Sequence, residues 1–116
     1  MIAHLLAPHV PRAARTLGIE RTVPSAGVAL TFDDGPHPEG TPAVLAVLEE
    51  AGIQATFFLV GEQVERRPAL AAEIAERGHL VALHGYRHRP QPVLSRRAVQ
   101  DDLARGAHAI ESATGR

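Results

Sequence analysis

Apolar residues along this chain fall into short runs separated by polar, glycine- and proline-rich breaks, and two spacings alternate. Val28-Ala29-Leu30-Thr31-Phe32 is a continuous apolar run cut off by Asp33-Asp34-Gly35-Pro36, the pattern of a buried strand. The period then lengthens. Val44, Leu45, Val47, Leu48 and Ala51 form one stripe of a helix, with Thr41 as its cap, Pro42 at its first position and Gly52 at its close. Ala55 to Val60, rich in aromatic and β-branched residues, predicts a second strand ending at Gly61. Glu62 to Arg67 reads as a turn or short helical piece. Pro68 opens another helix with Leu70, Ala71, Ile74 and Ala75 inward, and Gly78 ends it. His79 to Leu83 predicts the third strand, and Gly85 to Leu94 a loop holding two prolines. Ser95 can cap the last helix, with Val99, Leu103, Ala107 and Ile110 on one face. Ahead of these elements, residues 1–25 read as an amino-terminal arm with one short helix near Arg12 to Leu17.

Strand and helix in alternation predict an α/β architecture with parallel strands. Strand cores that are nearly continuous apolar runs belong to sheets covered on both faces. The 116 residues suffice for one small domain, and an apolar content of 45 % supports a real core. A formal charge of -1 with no basic face excludes a nucleic-acid partner. The absence of Cys excludes disulfides and thiolate metal sites. The weak apolar patch of Met1 to Val10 lacks a basic flank and is broken by His4, Pro8 and His9, so we expect neither a signal peptide nor a membrane span.

The chemistry-bearing residues stand directly after predicted strands. Asp33 and Asp34 follow the first, His84 follows the third, and His88 lies four residues on. Parallel α/β folds gather functional groups at the carboxyl ends of their strands, and neighbouring strands would bring these two loops together. Adjacent side chains on a regular strand point to opposite faces, but Gly35-Pro36 breaks the strand at once and lets both carboxylates converge. Two ionised carboxylates repel, and a divalent cation beside them relieves this. One carboxylate with two imidazoles is a common hydrolytic metal set that leaves a position open for water. The cation acidifies that water and polarises a substrate carbonyl, while the carboxylate not bound to it takes the proton.

Each motif alone has a plainer reading. Asp-Gly is a frequent turn signal, and among seven His an i, i+4 pair arises by chance. Their joint placement at strand ends favours the metal site. The remaining candidates read as structural or solvated: His37 as a loop residue, His79 as a strand-opening structural residue, and His4, His9 and His108 as solvated. Glu49 and Glu50 read as a helix face in water, and Phe57 and Phe58 as core. Tyr86 either lines the site or lies exposed on its loop.

The run Thr31-Phe32-Asp33-Asp34-Gly35-Pro36 resembles the first motif of the NodB-like polysaccharide deacetylases, carbohydrate esterase family four. Phe57-Phe58-Leu59-Val60-Gly61, Gly78-His79 and the pair His84 and His88 resemble that family at matching spacing, over residues 26–116. The resemblance implies a distorted (β/α) barrel, here in partial, truncated form. It implies removal of acetyl groups from N-acetylated carbohydrate of the chitin-oligomer or peptidoglycan type, and some members act on O-acetylated xylan. It implies Asp33 as catalytic base and Asp34, His84 and His88 as ligands of a divalent metal, usually zinc, sometimes cobalt or another ion. A place in the cell envelope or outside the cell goes with such substrates.

Two departures stand out. Gly85 occupies the position where the family carries Ser or Thr, a hydroxyl that would brace the metal loop. The family also continues past the level of Arg116 with an Arg-Pro motif, an apolar pocket and a His that protonates the leaving amine. None of these stands in the chain, so low activity is expected of the 116 residues alone. Two rival readings remain: a non-catalytic fragment or sugar-binding relic of the same fold, and a metal-dependent hydrolase of another bond such as a phosphoester.

Overall fold

The computed structural model describes residues 27–90 and 93–116. The expected arm over residues 1–25, its helix near Arg12 to Leu17 and the loop residues 91–92 lie outside the described residues. Within them the elements run β1 (Thr31–Asp33), α1 (Gly40–Ala51), β2 (Thr56–Leu59), α2 (Gly61–Arg66), α3 (Pro68–Glu76), β3 (Leu80–Leu83) and α4 (Arg96–Thr114). The strands form one parallel sheet in the order β1-β2-β3. This is the expected α/β architecture, an open arc of a (β/α) barrel with β1 and β3 at its edges.

The register sets the level of the site. Phe32 stands beside Phe57 and Asp33 beside Phe58. Phe57 stands beside Val81 and Leu59 beside Leu83. Asp34 and His84 therefore emerge at the same carboxyl edge, from the two outer strands. The sequence reading had placed their strands as neighbours. Instead β2 lies between them, so the loops must be brought together above its end.

The core joins the sheet to all four helices. Leu45 and Leu48 of α1, Phe57 and Leu59 of β2, Val64 of α2, Ile74 of α3 and Ile110 of α4 are buried in one cluster. Phe32 and Phe57 stack with ring centroids 5.1 Å apart. α1 ends as expected at Gly52, in left-handed conformation at φ 64°. Ser95 caps α4 as expected, accepting from the Ala98 amide.

Three local expectations shift. Val28 is 95 % exposed and the strand is confined to Thr31–Asp33, and among the described residues β1 pairs on one side only, with β2. Thr41 does not cap α1 from outside. It is buried within the first turn, and its Oγ1 accepts from the His37 amide. The buried face of α4 is Gly106, Ala109 and Ile110, whereas Leu103 is exposed. Small residues let α4 approach α2 and α3 closely, and that outweighs the larger apolar stripe read from the spacing.

Candidate metal centre

Two consecutive amides at the end of β2 solve the problem of the intervening strand. Val60 N–H donates to Gly35 O at 2.9 Å, holding the loop that follows β1. Gly61 N–H donates to Gly85 O, also at 2.9 Å, holding the loop that follows β3. His84 N–H donates to Leu59 O at 2.8 Å and continues the β2–β3 ladder one residue further. The two loops are thus drawn over β2 from both sides.

Asp34 itself leaves the strand in left-handed backbone, φ 71°, among the described residues the one non-glycine with positive φ. Such a conformation is uncommon outside glycine, asparagine and aspartate. It ends the alternation of side-chain directions and turns the Asp34 carboxylate towards β3. Asp34 Oδ1 lies 3.3 Å from His84 Nε2 and 3.2 Å from His88 Nε2. The two imidazole rings lie 5.4 Å apart between centroids.

The donor set fits a divalent cation. One carboxylate oxygen and two imidazole nitrogens are grouped within 4.8 Å of one another. Ligands at about 2.0–2.1 Å around a tetrahedral ion stand roughly 3.4 Å apart, close to the two oxygen–nitrogen separations found here. Both histidines present Nε2 to the common point, so one geometry serves both. Asp34 and His88 are exposed and His84 half-buried, which leaves the point open to water and substrate on its outer side.

Asp33 stands at the end of β1 and is exposed. With Asp34 it lines a pocket of about 240 Å³ walled by Phe32, Phe57, Val44 and Thr41. His84 and His88 do not line that pocket. Asp34 is therefore shared between the pocket and the metal cluster.

His37 has a role that its sequence neighbourhood concealed. Its Nδ1 accepts from Gly40 N at 3.0 Å and Glu39 N at 3.3 Å, while Thr41 N–H donates to His37 O and His37 N–H donates to Thr41 Oγ1. An imidazole that accepts at Nδ1 carries its proton on Nε2. His37 caps α1, a task usually left to Ser, Thr, Asp or Asn, so the usual capping signal pointed instead at Thr41. His79 is buried, as a structural residue should be. Its Nδ1 accepts from Ala55 N at 3.2 Å and its ring packs on Phe57. His108, Glu49 and Glu50 are exposed.

Tyr86, between the two histidines, is neither exposed nor a wall of the pocket. It is buried beneath α4, donates its hydroxyl to Glu65 Oε2 at 2.8 Å and carries the Arg105 guanidinium 3.9 Å above its ring. Burial raises the phenol above its ordinary pKa, and the hydrogen bond to Glu65 adds to the rise. Asp102 of α4 accepts from both Tyr86 N and Arg87 N. Sequence reasoning passed over both Asp102 and Glu65, because carboxylates on helices read as solvated faces.

With the geometry in place, comparison with known proteins is specific. Residues 20–116 match the family described as polysaccharide deacetylase. The chain is 42 % identical over 98 residues to a chitooligosaccharide deacetylase of Sinorhizobium fredii, covering 80 % of this chain and 46 % of that protein. Among solved structures, a peptidoglycan N-acetylglucosamine deacetylase in complex with 4-naphthalen-1-yl-N-oxidanyl-benzamide superposes with a TM-score of 0.77 at 34 % identity, over 81 % of this chain and 44 % of that one. A family-four pseudoenzyme from Bacillus anthracis superposes with a TM-score of 0.72 at 31 % identity, over 76 % of this chain and 31 % of that one. The chain spans less than half the length of each of these relatives.

Proposed function

This chain belongs to the polysaccharide deacetylase family, and from that premise we propose that it carries the metal-holding part of a hydrolase that removes acetyl groups from N-acetylated carbohydrate. The observation that carries the reading is the meeting of Asp34 Oδ1 with the Nε2 atoms of His84 and His88 at 3.3 and 3.2 Å. Chitin oligomers and peptidoglycan are the substrate classes named for its relatives, and both present the same N-acetylated sugar. We propose that the protein acts in the cell envelope or outside the cell, where polymers of this kind lie. No helix among the described residues is long and apolar enough to cross a membrane.

Asp34, His84 and His88 would hold the ion, and zinc is our choice because four-coordinate carboxylate–imidazole sets suit it, with cobalt or another divalent ion able to replace it. When bound, the ion supplies polarisation of the acetamide carbonyl and acidification of the attacking water. Asp33 accepts the proton from that water at its carboxylate, as a base free of metal must. The tight backbone hold on the loops carrying Asp34 and His84 keeps the three ligands in one arrangement before substrate arrives. The leaving nitrogen needs a proton. His37 does not supply it through Nδ1, which is committed to the first turn of α1.

A reading without catalysis finds its support in the pseudoenzyme of the same fold. The two separate on one assay, acetate release from a short N-acetylglucosamine oligomer with zinc added. We expect slow release, lost in Asp33→Asn. No release at all, or equal release by wild type and Asp33→Asn, would decide for the non-catalytic reading.

A further inference from the structure

We infer that Asp102, on α4, is a positioning residue for the metal centre, holding the three-residue loop between its two histidine ligands. Gly85, Tyr86 and Arg87 separate His84 from His88, and four of their backbone polar groups are held from outside the loop. Gly61 N–H and Glu62 N–H, at the start of α2, donate to Gly85 O and Tyr86 O at 2.9 and 3.0 Å. From the opposite side, Asp102 Oδ2 accepts from Tyr86 N at 2.8 Å and Asp102 Oδ1 from Arg87 N at 3.1 Å. The loop is therefore clamped between two helices, by amides below and a carboxylate above.

The carboxylate is matched to this task. Both its oxygens are used, each by one of two consecutive amides, and both bonds are charge-assisted. Neither bond returns to its own helix, so Asp102 is no helix cap. Gly85 has no side chain with which to brace the turn and sits at φ 75°. His88 is 67 % exposed, so little packs against its ring, and the ring's place is set through the backbone that Asp102 holds. Partners of this kind, one bond removed from a metal ligand, typically change metal affinity by about 10–100-fold.

The inference rests on the metal reading, and one experiment separates the two. Cobalt is titrated into the full chain, following the visible absorption of the bound ion, and thermal unfolding of the metal-free protein is recorded alongside. Asp102→Asn keeps size and one acceptor, and Asp102→Ala keeps none. Arg77→Ala serves as a control, since Arg77 joins Glu49 of α1 to Glu73 of α3 away from the loop. We expect cobalt affinity to fall about 10-fold or more in Asp102→Asn and further in Asp102→Ala, with an altered spectrum and no such change in Arg77→Ala. Wild-type affinity and spectrum in both Asp102 variants overturn the inference, as does an equal loss in Arg77→Ala. A wild type that takes up no cobalt overturns the metal reading and this inference with it.

Discussion

Gly61 and Gly106 meet face to face against the loop that joins the two histidines. A Cβ on Gly61 would stand 3.0 Å from Gly106 Cα and 3.1 Å from Tyr86 Cα. A Cβ on Gly106 would stand 3.1 Å from Tyr86 N and 2.5 Å from Leu83 Cδ1. Helices α2 and α4 and the loop are thus closed on one another at a point where no side chain fits. Gly106→Ala gains about 1 kcal/mol of helix propensity but overpacks against backbone at a typical cost of about 1–3 kcal/mol. We expect net destabilisation, read as a lower denaturation midpoint. An Ala variant more stable than wild type would show that the contact yields easily.

We expect loss of a proposed metal ligand to have a larger effect than loss of an outer partner. Asp34→Ala and His84→Ala should each weaken divalent-ion binding by more than the roughly 10–100-fold of an outer partner, measured by calorimetric titration with zinc. Zinc content unchanged by Asp34→Ala would remove Asp34 from the site.

His79→Ala separates fold from site. It leaves the buried Ala55 N–H without its acceptor, an omission worth about 1–3 kcal/mol, and removes the ring packed on Phe57. Urea denaturation should register the loss, whereas zinc affinity should stay at the wild-type value. A parallel drop in zinc affinity would make His79 part of the centre.

Tyr86 is the single tyrosine of the chain, so its ionisation can be followed alone by absorbance near 295 nm. Its folded pKa lies above the ordinary value of 10.0, first through burial and then through Glu65. A raised folded pKa means that the neutral phenol favours the fold. That contribution is complete below the unfolded pKa and is lost as pH rises through the folded one. The ionisation midpoint should therefore lie above the ordinary value of 10.0, and Glu65→Ala should lower it. A midpoint at the model-peptide value in the wild type would contradict the buried, hydrogen-bonded phenol.

Much of this arrangement was legible in the order of residues. The breaks at Asp33-Asp34-Gly35-Pro36 and Gly61 located two strand ends, and the loop opening at Gly85 located the third. Parallel alternation followed from the same punctuation. The strand between the loops that carry Asp34 and His84 was not legible, because spacing along a chain does not reveal sheet order. The roles of His37, Asp102 and Glu65 were hidden for a different reason. Asp102 and Glu65 bind backbone amides and a phenol far away in the sequence, where a local window sees only a solvated acid, and His37 caps its helix with a residue type outside the usual capping set. The packing of α4 through Gly106 was missed because apolar spacing ranks side chains by size, and here the closest contact is made by having none.

The left-handed backbone at Asp34 also bears on how such a protein can change over generations. Aspartate codons lie a single base from those of asparagine and glycine, two residues that enter this region of backbone at least as readily. Either replacement keeps the bend that carries the chain out of β1, yet takes away the anionic oxygen facing His84 and His88. At this codon the bend and the charge are inherited separately, and a descendant can lose the carboxylate while keeping the turn.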